Sequence, residues 1–120
     1  MLSYLRREAH RVLQRCVNTA EGLVIAWREE ASFSQWIAAN VVNIALACLV
    51  DLTSVERALI IGCGLLVLVV ELLNTGIEAA IDRISEDLHP LSKKAKDTAC
   101  AAVALMATIT GVIWVIVLIG

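Results

Sequence analysis

Residues 98 to 120 run without one charged side chain, and two further stretches, 31 to 50 and 58 to 81, are predominantly apolar. Each meets the ~20 residues needed to cross a hydrocarbon core of ~30 Å. That leaves few folds open. Inside lipid every backbone N–H and C=O must be paired within the protein, which a helix does within its own segment. A chain of 120 residues that is 59% apolar exceeds what a soluble domain of this size needs for its core. The sequence therefore predicts an all-α membrane protein with three transmembrane helices at about 31 to 50, 58 to 81 and 98 to 120. One domain is expected to cover residues 1 to 120.

Ahead of the first span, Leu2, Leu5, Ala9, Val12, Leu13, Cys16, Ala20, Leu23, Val24 and Trp27 recur at three- and four-residue steps, with Arg and Glu between them. This periodicity predicts an amphipathic helix over about 1 to 29, too polar to cross. It is expected to lie on the cytoplasmic surface, basic residues near anionic headgroups and Trp27 at headgroup level. Arg6, Arg7, Glu8, His10, Arg11 and Arg15 all precede any continuous apolar run. No cleavable leader is expected from such a segment.

Of the ten basic residues, only Arg57 lies between the first and second spans; the others precede the first or fall between the second and third. By the positive-inside rule the N-terminus and the 82 to 97 loop face the cytoplasm, and the 51 to 57 loop and the C-terminus lie outside. The net charge of −2 gives no footing for a nucleic-acid partner, and none is expected. Cys16, Cys48, Cys63 and Cys100 lack C-x-x-C spacing and read as small packing residues. Asn40 and Asn43 are expected to bond neighbouring helices, and Gly62 and Gly64 to permit close helix approach.

Glu71, Asn74 and Glu78 lie inside the second apolar stretch, with Asp82 just beyond it. Ionisable groups there are costly and point to function. At ~100° per residue, Glu78 and Asp82 fall ~20° to either side of Glu71 and Asn74 ~60° behind it, one narrow helical face. Counted back from Ile81, Glu71 is expected ~15 Å inside the membrane and Glu78 within about one turn of its cytoplasmic end. A buried carboxylate of this kind can act as a proton acceptor. Glu30 and Glu78, at the same boundary, are hard oxygen donors of the type that holds Mg²⁺ together with substrate phosphates. The inventory suits phosphoryl transfer to a lipid hydroxyl. It equally suits a small proton-coupled transporter.

The segments Glu71-Leu-Leu-Asn74-Thr-Gly-Ile-Glu78-Ala-Ala-Ile-Asp82-Arg83, Ala95-Lys96-Asp97 and Ala26-Trp27-Arg28-Glu29-Glu30-Ala31-Ser32-Phe33 together resemble the small prokaryotic diacylglycerol kinase family. The likeness covers almost the whole chain. It implies a homotrimeric, ATP-dependent lipid kinase of the bacterial inner membrane that makes phosphatidic acid from diacylglycerol, with Mg²⁺ as cofactor and sites between subunits. By resemblance Glu71 is the general base, with Asn74 beside it, and Glu30 and Glu78 hold Mg²⁺ and the triphosphate. Arg11, Asp82, Asp87, His89, Lys96 and Asp97 then belong to the nucleotide site, and Trp27, Arg57, Cys100 and Trp114 join Glu71 around the lipid. Three positions depart from the family pattern. Cys100 stands where a serine lining the lipid site is expected, Asn18 where a nucleotide-stacking tyrosine is, and Trp36 where an acidic residue is. Family members acting on undecaprenol share the carboxylate motif; Arg83 after Asp82, and Ala26-Trp27, favour diacylglycerol.

Overall fold

The structure, a computed structural model, describes residues 1 to 120. It contains four helices and no strand: α1 (Leu2–Glu29), α2 (Ala31–Leu49), α3 (Ser54–Ile84) and α4 (Pro90–Ile119). The last three are long and apolar enough to cross a membrane, as the apolar stretches predict. Residues Met1–Ala31 and Ser32–Gly120 form two compact units.

In the first unit, α1 carries its apolar positions exposed, Leu5, Val12, Leu13 and Leu23 among them, and buries only Ala26. Its polar side chains bond along the helix. Arg11 Nη1 donates to Glu8 Oε1 at 2.7 Å, and Gln14 Nε2 to Asn18 Oδ1 at 3.0 Å. The helix ends where Glu30 turns extended, its N–H still donating to Ala26 O at 3.1 Å.

In the second unit, α2 and α3 form a hairpin closed at its turn by polar contacts. Thr53 caps α3 in a capping box, its Oγ1 accepting from Glu56 N at 3.2 Å while Glu56 Oε2 accepts from Thr53 N at 2.8 Å. Arg57 Nε donates to Ala47 O at 2.8 Å, and Nη2 to Leu52 O at 3.4 Å. The first of these carbonyls lies in the last turn of α2, where a helix has no partners of its own for its last C=O groups, and the second in the turn itself. Beneath the turn Ala47, Leu52 and Ile60 form a buried cluster packed by Ile113, Trp114 and Val117 of α4.

Midway along the hairpin, Asn43 ties three helices together: Nδ2 donates to Ile60 O at 3.1 Å, and Oδ1 accepts from Trp114 Nε1 at 2.8 Å. Gly64 makes room for this clasp. A Cβ there would lie 2.7 Å from Asn40 Oδ1 and against Asn43, whereas one at Gly62 would meet nothing. Asn40 donates within its own helix, to Trp36 O at 3.0 Å, and its Oδ1 is buried without a partner.

Two boundaries differ from the sequence expectation. The 82 to 97 segment is mostly helical: α3 continues through Ile84 and α4 begins at Pro90, leaving Ser85 to His89 as the connection. Pro90 opens a helix because the first helical position needs no N–H donor, and His89 Nδ1 caps it by accepting from Leu91 N at 3.1 Å. The helices of the hairpin are also unequal in length. With 19 residues α2 spans about 28 Å, and α3 with 31 spans about 46 Å. Ala47 with Arg57, Asn43 with Ile60, and Ser32 with Glu71 step away from the turn together on the two helices. Glu71 is thus level with the first turn of α2, and α3 runs on past it to Ile84.

Candidate functional site

The stripe of α3 is built as helical geometry requires, because the helix is unbroken from Ser54 to Ile84. Its two inner members are buried: Glu71 is 3% exposed and Asn74 8%. Ser32, in the first turn of α2, donates its hydroxyl to Glu71 Oε1. Asn74 Oδ1 is buried with no hydrogen-bond partner. Buried polar atoms are nearly always paired, so an orphaned acceptor one turn from a buried carboxylate marks a place for an incoming donor. Glu78, next along the face, is half-buried, and no hydrogen bond or close ion pair occupies its carboxylate. The pattern is a carboxylate held at one oxygen, an unsatisfied amide oxygen beside it, and a second, unspent carboxylate two turns on.

Further along α3 the stripe opens into a cleft of about 700 Å³ between the end of α3, the connection and the start of α4. Asp82, Asp87, His89, Lys96 and Asp97 all line it. Lys96 Nζ donates to Asp82 Oδ1 at 2.5 Å, joining α4 to α3 across the cleft. Lys96 lies ahead of the uncharged run that begins at Thr98, and its pKa is raised, first by that hydrogen bond. Burial opposes the rise, and the charges of Asp82, Glu78 and Glu86 add to it. The ammonium therefore keeps its charge throughout the neutral range. Asp97 pairs with Lys93 on the same helix. His89, as the cap of α4, uses Nδ1 as an acceptor from Leu91 N, which leaves Nε2 as the ring nitrogen able to donate.

The remaining predicted positions are distributed as follows. Arg57 and Trp114 lie toward the other end of the hairpin, engaged with the α2 carbonyls and with Asn43 respectively. Cys100 is an exposed free thiol on α4. Arg11, Trp27 and Glu30 belong to the Met1–Ala31 unit, Arg11 paired with Glu8, Trp27 exposed and Glu30 half-buried. No group of three or more His, Cys, Asp or Glu side chains converges as an all-protein metal cage. Mg²⁺ does not need one, since it is commonly held by one or two carboxylates with substrate phosphates completing the sphere. The unspent oxygens of Glu78 fit that requirement.

The sequence reading did not single out Ser32 as a site residue. The signal for it lay in the short turn: once the hairpin register is set there, a residue at the start of α2 is brought level with Glu71.

The sequence model of prokaryotic diacylglycerol kinase matches residues 17–118 of the chain. The chain belongs to that family. Among similar proteins, the diacylglycerol kinase of Pseudomonas aeruginosa is 46% identical over 110 residues, covering 92% of this chain and 89% of the relative. That of Escherichia coli K12 is 37% identical over 108 residues, 90% and 88% of the two chains. A third, from Helicobacter pylori, is 36% identical over 104 residues, 87% and 81% of the two. As a member of the prokaryotic diacylglycerol kinase family, the chain carries the matched region across Glu30, Ser32, the α3 stripe and the cleft; the match begins after Arg11.

Proposed function

We propose that this chain is an ATP-dependent lipid kinase that phosphorylates diacylglycerol to phosphatidic acid in a bacterial inner membrane. The observation that carries the reading is the α3 face, which runs from buried Glu71 beside the orphaned Asn74 oxygen to the cleft bridged by Asp82 and Lys96. The two ends suit the two substrates. Glu71, level with the first turn of α2, is where a lipid hydroxyl at the membrane edge can reach it, and the cleft beyond the overhang of α3 opens to water-borne nucleotide.

In the transfer, the diacylglycerol hydroxyl oxygen attacks the γ-phosphorus in line, and the bond from that phosphorus to the β,γ-bridging oxygen breaks, releasing ADP. The hydroxyl proton passes to the free oxygen of Glu71. Asn74, beside Glu71, donates from Nδ2 to the hydroxyl oxygen and so orients it. Lys96 offsets phosphate charge, exchanging its contact with Asp82 for the nucleotide. Asp87, His89, Asp97 and Arg11 complete the nucleotide site. Glu30 and Glu78 would hold Mg²⁺, which when bound would neutralise triphosphate charge. Because the transition state is loose, positioning and electrostatics supply most of the acceleration. Trp27, Arg57, Cys100 and Trp114 are assigned to lipid contacts, Arg57 and Trp114 by way of the packing they already hold.

The active form is proposed to be a homotrimer with shared sites. Three spans cannot enclose Glu71, Asn74 and Glu78 and two substrates by themselves, and the apolar windows of α2, α3 and α4 are only 17%, 28% and 6% buried. The N-terminus and the α3–α4 connection face the cytoplasm and the C-terminus lies outside.

The test is transfer of labelled γ-phosphate from Mg-ATP to diacylglycerol in mixed micelles, with Glu71→Gln alongside. Labelled phosphatidic acid from the parent protein only is the expected result. Labelling of undecaprenol in preference would move the substrate within the family, and no labelled lipid from either would overturn the kinase reading.

A further inference from the structure

We infer that Ser32 positions the catalytic base: its hydroxyl holds one carboxylate oxygen of Glu71 so that the other is presented to the lipid hydroxyl. The inference rests on Glu71 being the base, as proposed above. Glu71 is 3% exposed, and the hydroxyl of Ser32 is the one hydrogen-bond donor its carboxylate has. A glutamate side chain has three rotatable bonds and reaches several rotamers. A single donor fixed to an adjacent helix selects among them. Burial strengthens the selection, because a carboxylate out of water loses much by giving up its only hydrogen bond.

The donor itself is held by the backbone. Ser32 belongs to the first turn of α2, and the register that places it level with Glu71 is fixed at the far end by Arg57 on Ala47 O and in the middle by Asn43 on Ile60 O. The pin on the base is therefore anchored by the hairpin rather than by a mobile loop. During transfer the substrate proton goes to Oε2 of Glu71, while Ser32 keeps its own proton and its bond to Oε1. Ser32 is neither consumed nor charged. It acts only by keeping the acceptor oxygen within hydrogen-bond reach of the substrate, the geometric condition on which general-base catalysis depends.

The experiment is steady-state kinetics in mixed micelles for the full chain carrying Ser32→Ala, Ser32→Thr, Glu71→Gln, and Ser32→Ala with Glu71→Gln. Ser32→Ala is expected to lower kcat by about tenfold, with KM for Mg-ATP and diacylglycerol within about twofold of the parent. Ser32→Thr, which keeps the hydroxyl, is expected to recover most of the rate. In the Glu71→Gln background Ser32→Ala is expected to cause no further loss, since its effect passes through that carboxylate. Parental kcat in Ser32→Ala, or an equal loss in Ser32→Thr, would overturn the inference while leaving the base assignment intact. Parental activity in Glu71→Gln would overturn the base assignment itself. Should Ser32→Ala not fold, Ser32→Cys keeps the volume with a much weaker donor and carries the same expectation.

Discussion

Glu71 and Glu78 are seven residues apart on one face of α3, yet their surroundings differ: the first is buried and held by Ser32, the second is half-buried and unspent. Different roles are proposed for them. Glu71→Gln is expected to lower turnover by about 10²-fold or more, the range for loss of a general base, with little change in the dissociation constant for Mg-ATP. Glu78→Gln is expected to weaken Mg-ATP binding instead, as measured by equilibrium titration; equal losses of affinity in both variants would undo the division. The stripe itself was legible in the sequence because the angles between residues of one helix depend on nothing beyond that helix. Ser32 was not, because its bond to Glu71 joins positions 39 residues apart and depends on the register of a hairpin. His89 is a related case. Resemblance points to the nucleotide, whereas its capping of α4 becomes apparent only once Pro90 is seen to start a helix.

Polar side chains set how α2, α3 and α4 meet. In lipid, apolar surface gives little drive for helices to associate, so hydrogen bonds and close packing carry the specificity. Asn43 serves both neighbours, and Gly64 is the position that lets it do so. Asn43→Leu, Trp114→Phe and the double variant are expected to show a coupling of about 0.6 to 1.7 kcal/mol in thermal or steric-trap unfolding. Additive losses would mean the Asn43–Trp114 bond contributes nothing measurable. That Asn43 bonds across helices could be read from an amide within an apolar run, but which helices it joins could not. The apolar extents of the spans were equally plain from composition. The helix ends were not, since Asp82 and Arg83 on α3, and Lys93, Lys94, Lys96 and Asp97 on α4, are helical although they lie beyond the apolar runs.

At the scale of the whole molecule, the sparse burial of the three spans is the ground on which copies of the chain are proposed to share a site. Glu30→Gln and Glu71→Gln proteins, each impaired alone, are expected to recover part of the parental activity when mixed and reassembled, because a site that takes Glu30 from one chain and the α3 face from another can then be built from intact residues. Absence of recovery at every mixing ratio would count against sharing. The family was legible from the motif and the match extends over residues 17–118, whereas assembly leaves no pattern that a single sequence displays. One further consequence comes from the unequal helices. Because α2 spans only about 28 Å while α3 and α4 reach about 45 Å, a thickening bilayer meets the ends of α2 first. Since Ser32 and Glu71 lie at the first turn of that short helix, turnover is expected to fall as the acyl chains of the host bilayer lengthen, as measured in vesicles of graded thickness.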